Sequence, residues 1–262
     1  MTESKDDKQT HTAAGQSARP DSELPTIDVA ERAGERTGKP QVLNTRLFMQ
    51  LLVFTSAEPR SSGNALSLLG QAIAAHGMPA VLYEDVNDPR GIGVLSWTED
   101  PAHFVTRLRP ALHAADAAGL RQRHEFSMFG RTYATGYEPD LRYWLLDRPR
   151  ETVLNPAWPW AVWYPLRRVG AFARLAPQER GSIMAEHGKI GRAYGAQDLA
   201  HDVRLACYGL DTNDSEFVIG LMGKDLHPLS HVVEAMRRTR QTAEFMQQMG
   251  PFFVGHAAQR VG

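Results

Sequence analysis

A chain of 262 residues, 42% of them hydrophobic and 23% charged, has the make-up of a soluble globular protein holding one large domain or two small ones packed together. Its formal net charge of −1 gives no global field to draw in nucleic acid or an anionic membrane. The single cysteine, Cys207, excludes an internal disulfide framework and suits a reducing compartment.

The N-terminal stretch MTESKDDKQTHTAAGQSARPDSE has no apolar core, so no secretory signal is expected. No apolar run approaches the roughly 18 residues a membrane helix needs, and a cytoplasmic protein is expected. Residues 1–43 are rich in Ser, Thr, Asp, Glu, Lys, Gly and Pro, which bury too little to offset their ordering entropy; they read as a disordered tail. Order is expected from Arg46, where RLFMQLLVF reads as a nearly continuous apolar strand. A helix from about Asn64 to His76 places Leu66, Leu69 and Ile73 on one face, and Gly77 stands where a C-cap glycine belongs. The strands AVLYEDV and IGVLSWT flank a turn built on Asp88, Pro89 and Gly91. Asp100-Pro101 opens a second helix with Phe104, Val105, Leu108 and Leu112 facing inward. EFSMFGRTY closes a β-α-β-β-α-β unit over 44–131, the ferredoxin-like order.

Residues 132–157 read as a connector studded with Gly and Pro. From 158 to 262 the order repeats: strand 160–166, helix 177–194, strands 202–208 and 215–222, helix 225–247 and a last strand near PFFVG. Two such units predict an α+β protein whose sheets pack back to back or join into one barrel.

The stretch from Trp158 to Tyr194 carries the main clue to chemistry. In its strand, Trp160, Val162, Tyr164 and Leu166 share a face, and Pro165 keeps Tyr164 extended. In its helix, Ile183, His187, Ile190 and Tyr194 fall on one stripe, so His187 is expected on the buried face. A buried histidine is most often a packed, hydrogen-bonded residue, but an imidazole on a rigid helix is also how a haem iron is held. Gly188 and Gly191 sit in that helix at a cost of about 0.5–1 kcal/mol each relative to alanine. Close approach of a flat macrocycle accounts for them, and so does helix–strand packing. Tyr164 reads either as a core tyrosine or as a phenol that yields an electron and a proton to an oxidant beside it.

Arg142, Arg148 and Arg150 precede the strand and Arg167 and Arg168 follow it. Arg204 lies within DVRLACY, opposite the face carrying Val203, Leu205 and Cys207. Several guanidinium groups around one cavity suit a multiply anionic ligand; singly, each is more often solvated. His227, His231 and Glu234 recur at i, i+4 and i+7, with no further His or Cys to complete a metal site, so surface polarity is the plainer account. His201-Asp202 has no companion ligands for a phosphohydrolase metal pair, and no P-loop, dinucleotide loop, GxSxG or CxxC is present.

The segments MAEHGKIGRAYG, YGLDTNDSEFVIGL, VVEAMRRT and GPFFVG resemble the chlorite dismutase superfamily, and within it the coproheme decarboxylases of haem biosynthesis. The resemblance spans about 158–255 strongly and 46–157 mainly by the order of elements. It implies two ferredoxin-like repeats forming a dimeric α+β barrel, a homo-oligomeric ring (often a pentamer), and haem held in the C-terminal repeat. It implies His187 as the iron ligand and Tyr164, within WYPLRR, as the tyrosine that becomes a radical. Arg150 corresponds to a propionate-binding arginine, Arg168 replaces a propionate-binding lysine, and Pro165, Leu166 and Arg167 line the same segment. Arg204 falls at the distal position over the iron, and Thr242 matches a small hydroxyl residue near a propionate. The implied reaction is oxidative decarboxylation of coproheme (Fe-coproporphyrin III) to haem b with hydrogen peroxide.

Several positions depart from that pattern. Arg204 matches chlorite-decomposing enzymes rather than decarboxylases carrying Gln there, whereas the former lack a tyrosine at the place of Tyr164. The glutamate that commonly bonds the proximal histidine is replaced, with Arg240 or Gln241 expected at its place, which weakens the imidazole as a donor to iron. Gln197–Ala200 read as an insertion. These departures keep a chlorite-decomposing or peroxidase-type haem b enzyme, and a non-catalytic haem-binding protein, as alternatives.

Overall fold

The computed structural model describes residues 24–34, 38–57, 62–117 and 119–262. The first element is not where the composition puts it. Strands β1 (Glu31–Ala33) and β2 (Gln41–Leu43) pair antiparallel inside the stretch expected to be a disordered tail. Long-range contacts correct that expectation. Ala33 is buried in the main core, and the Glu31 carboxylate accepts from Arg131 Nη1 and Ala134 N, both at 2.9 Å. Residues 1–23 and 35–37 of that stretch lie outside the described residues.

The apolar run after Arg46 forms β3 (Phe48–Ser56), which pairs with β5 (Gly91–Thr98), itself paired with β4 (Ala80–Asp85). Helix α1 (Ser62–Ala75) ends as predicted, Gly77 taking the left-handed conformation (φ +65°) that caps it. The second helix is irregular: a wide π-type turn over Phe104–Leu108 leads into α2 (Arg109–Ala117). Leu108 is buried, but Val105, expected inward, is 52% exposed, because the wider turn breaks the 3.6-residue register on which its placement rested. Short β6 (Leu120–Gln122) and β7 (Met128–Arg131) then pair with β3.

The connector is more than a linker. A second π-type turn at Tyr143–Asp147 runs into α3 (Arg148–Leu154), and Pro149, with no backbone N–H to donate, stands just past that turn. Leu141, Leu145, Leu146 and Val153 are buried in the main core, so this helical segment is a wall of it.

Strand β8 (Trp160–Arg168), helix α4 (Pro177–Ala196), β9 (His201–Ala206) and β10 (Phe217–Gly223) follow in the predicted order. The long helix expected over 225–247 is interrupted. It divides into α5 (Leu226–Arg237) and α6 (Arg240–Phe245), with Thr239 extended between them (ψ 150°). The Thr239 hydroxyl donates to the Met236 carbonyl at 2.8 Å, a local bond that competes with continuing the helix. The chain ends with β11 (Met246–Met249) and β12 (Phe253–Val261).

These strands form one large antiparallel sheet of order β10-β9-β7-β3-β5-β4-β12-β8, and β8 pairs in turn with β10, so the path returns on itself. One face of the sheet encloses Met49, Leu51, Tyr83, Trp97, Trp163 and Phe253. The other carries two helical layers, α1 and α2 over Leu82 and Val94, and the C-terminal helices over Val162, Tyr164 and Leu221. Alternation along the strands assigns residues to these layers: Trp163 points in, Tyr164 out. Among the described residues no helix is long and apolar enough to cross a membrane.

Candidate functional site

The outer face of β8, β10 and β9 is where the predicted residues converge. Tyr164 pairs with Ile219, and Ile219 pairs with Arg204, so the three stand in one row across three strands. Directly opposed residues share a face, which puts the phenol and the guanidinium on the same side about 10 Å apart at the backbone. Leu166 lies one row toward the strand end and Val162, Leu221 and Asp202 one row the other way.

Tyr164 is 5% exposed and stacks on Phe252 with ring centroids 4.7 Å apart. Burial, reinforced by the Asp202 charge, pushes its hydroxyl well above the ordinary tyrosine range. The phenol therefore stays protonated at any working pH.

His187 stands on α4 in the stripe with Ile183, but the stripe is not uniformly covered. Ile183 is buried, whereas His187, Ile190 and Tyr194 are half-buried. The stripe is thus fully packed only at Ile183 and half covered from His187 to Tyr194. The His187 Nδ1 lies 3.3 Å from Thr239 Oγ1. Since the threonine hydroxyl donates to Met236, its oxygen accepts from Nδ1–H, and Nε2 keeps its lone pair. Burial, with the Arg204 charge next, holds the imidazole below its usual pKa and hence neutral. The sequence pattern puts Arg240 or Gln241 behind the imidazole, and the structure corrects this to Thr239. Arg240 is occupied by Glu179 and Glu244 at 2.8 and 2.9 Å. Thr242, on α6, lies 3.4 Å from Thr239 through their hydroxyl oxygens.

Arg204 has its Nε 3.0 Å from Asp202 Oδ2. Asp202 Oδ1 accepts from Arg148 Nη2 at 2.9 Å, and its carbonyl accepts from Arg148 Nη1 at 2.8 Å. Arg148 also lies over the Trp144 ring, 4.6 Å from its centroid. Burial favours a neutral Asp202, but the charges of Arg204 and Arg148 outweigh it and hold the carboxyl below the usual range. Arg148 and Arg204 line a small cavity of about 20 Å³ with Thr132, Tyr133, Glu138 and Trp144.

The other predicted arginines go elsewhere. Arg168 shares the Tyr164 face, yet its Nε and backbone N both bond Glu216 Oε2, at 3.0 and 3.1 Å, while Nη2 bonds Oε1. Its guanidinium lies over Phe172 and Phe217. Arg167 is on the opposite face, bonded to Asp214 and Gln248 at 2.8 and 2.9 Å, and Pro165 shares that opposite face. Arg150 pairs with Glu99 at 2.5 Å, just past the end of β5. The arginine that shares Asp202 with Arg204 is Arg148. Of His227, His231 and Glu234, His231 is bonded to the Tyr194 hydroxyl and Glu234 to Arg238.

Thr239 escaped the sequence reading, and Asp202 entered it only as half of a discarded metal dipeptide. The sequence holds no signal for the first, since the helical pattern runs on through it; an acid two residues before Arg204 on one strand face was the signal for the second.

The architecture is thus an antiparallel α+β sheet returning on itself, with a neutral imidazole on an outer helix and a tyrosine–arginine row beneath that helical layer. The sequence profile described as chlorite dismutase matches residues 117–258, over half the chain, and the protein belongs to the chlorite dismutase family. Coproheme decarboxylases from two strains of Thermus thermophilus are each 34% identical over 112 residues. The match covers 41% of this chain and 43% of those relatives, so it spans under half of their length. A heme-binding protein, also from Thermus thermophilus, superposes with a TM-score of 0.65 at 21% identity, covering 82% of this chain and 92% of that one. A variant chlorite dismutase from Candidatus Nitrospira defluvii gives 0.61 at 13% identity, with coverages of 82% and 92%. At those identities the two structures speak for the fold.

Proposed function

We propose that this protein is a haem-dependent enzyme that decarboxylates coproheme to haem b with hydrogen peroxide. The observation that carries the reading is His187: a neutral imidazole, tied at Nδ1 by Thr239 and free at Nε2, above a row that presents a protonated phenol and a guanidinium. The residues fit an iron porphyrin in other respects as well. A Cβ added at Gly188 or Gly191 would meet only the flexible tips of Arg192 and Met236, at 3.3 and 3.6 Å. No packing within the chain requires glycine there, and the helix backbone is left open to a flat ligand.

In this reading His187 Nε2 holds the iron, and bound iron supplies the centre that activates peroxide. Arg204 would offer a cationic donor from β9, Tyr164 a phenol able to give up an electron and a proton, and Thr242 a hydroxyl for a carboxylate at the rim. Arg150 and Arg168 take that last role only by exchanging Glu99 and Glu216 for a propionate. Each propionate that becomes a vinyl group uses one hydrogen peroxide and releases one carbon dioxide and two waters. The two halves, 44–131 and 158–262, are in the same reading ferredoxin-like repeats of a dimeric α+β barrel. They assemble as a cytoplasmic homo-oligomer, with a pentamer expected.

The test is to titrate the protein with coproheme, add peroxide, and follow the masses. Two successive losses of a carboxyl group are expected, Tyr164→Phe should bind without reacting, and His187→Ala should lose iron ligation. Unchanged coproheme after stoichiometric peroxide overturns the reaction. Arg204 favours a second reading, a chlorite-decomposing haem b enzyme in which the guanidinium retains a transient oxyanion. Oxygen evolution on adding chlorite, abolished by Arg204→Ala, selects it. Haem binding with neither activity selects a non-catalytic haem protein.

A further inference from the structure

The acid beside Arg204 has no part in the reaction just described, and its position is unusual. Asp202 is two residues before Arg204 on β9, so both side chains leave the same face of the sheet. Its two carboxylate oxygens are divided between two arginines: Oδ2 lies 3.0 Å from Arg204 Nε, and Oδ1 takes Arg148 Nη2 at 2.9 Å. The carboxylate cannot follow Arg204 if that side chain swings, because Arg148 also holds the Asp202 backbone carbonyl and rests on Trp144. Over a third of the Arg204 side chain is nevertheless open to solvent. A long side chain that exposed would otherwise sample several rotamers.

We propose that Asp202 is a positioning residue for Arg204: anchored from behind by Arg148, it holds the guanidinium by an ion pair on its Nε side and so orients it toward an anion in the site. This rests on the haem reading above for the identity of the anion's seat, but the anchoring itself does not. A carboxylate so near an anion site has two opposite effects. By its charge it repels the anion; by holding Arg204 it orders the donor. Repulsion alone predicts that neutralising Asp202 tightens anion binding, and positioning predicts that it weakens it.

Asp202→Asn keeps the shape and an acceptor while removing the charge, and charge-assisted contacts are roughly twice as strong as neutral ones. The probe is fluoride, titrated spectroscopically into the ferric haem-loaded protein. For Asp202→Asn we expect fluoride affinity to fall at least threefold with haem affinity unchanged. Arg204→Ala should lose more, and Asp202→Asn on the Arg204→Ala background should lose nothing further. Tighter fluoride binding by Asp202→Asn, or an equal loss in the absence of Arg204, overturns the proposal. Thermal unfolding of the same four proteins without porphyrin reads the anchor independently: non-additive shifts are expected, and strictly additive ones refute it. If the wild type takes up no haem, the function proposed above fails while the unfolding cycle still decides whether Asp202 holds Arg204.

Discussion

Single residues here act through what holds them. The His187 tautomer depends on one hydroxyl, and Thr239→Val keeps the shape while removing the acceptor of Nδ1–H. Losing a hydrogen bond of this kind costs about 0.5–1.5 kcal/mol. The more specific consequence expected is a shifted Soret band in the haem-loaded protein, since the imidazole is no longer oriented from behind. Glu216 has a different job. Burial raises its pKa, but the bonds from Arg168 and then Tyr208 prevail and hold it below the ordinary glutamate value. A depressed carboxyl gives stability that is present above its unfolded pKa and lost as pH falls through its folded one. Glu216→Gln should therefore lower stability at neutral pH and flatten the acid limb of the stability–pH curve, as read by urea unfolding at several pH values. Cys207 is inert by the same logic. Burial, then the Asp211 charge, pushes its thiol to about 12, so thiol reagents should leave the native protein unlabelled.

At the scale of elements, β8 is the hinge between the enclosed core and the site. Trp163 fills the interior while Tyr164 faces the helices, and adjacent β10 makes room for the tryptophan with Gly220. A Cβ there would lie 2.5 Å from the indole ring, which has no space to retreat. Gly220→Ala should cost about 1–3 kcal/mol through overpacking, measured by chemical denaturation. The α5–α6 break is the second such element. The 3.6-residue pattern of 225–247 carries on through it, so no periodicity argument finds it. It forms because Thr239, 1% exposed, turns its hydroxyl to the Met236 carbonyl and to His187. The π-type turns at Phe104–Leu108 and Tyr143–Asp147 escape periodicity for a related reason, since each inserts register that the flanking pattern does not contain.

Across the whole molecule, the sheet that returns on itself leaves its N-terminal half to be fastened from outside. The pair β1–β2 does this, with Glu31 reaching Arg131 at the end of β7 and the backbone of Ala134. Glu31→Ala removes one charge-assisted bond and leaves a backbone N–H unpaired; a loss of about 1–3 kcal/mol is expected in thermal or urea unfolding.

The sequence by itself determined most of the strands and helices from Phe48 onward, though not α3, the α5–α6 break or β11, together with the face Tyr164 shares with Val162 and Leu166, the helical stripe of His187 and the kinship those segments carry. All are local: alternation of two, a period of 3.6 and short motifs need only neighbouring residues to be read. Only the tertiary structure decided which charges compensate one another. Arg168 is committed to Glu216, Arg150 to Glu99, and Arg148 rather than Arg150 stands with Arg204, because ion pairs form across strand registers and between elements tens of residues apart. The same holds for Thr239 behind His187 and for the strands inside the polar N-terminal stretch. A short sequence pattern can say which way a side chain leaves its strand; what it meets there is set by the packing of the whole chain.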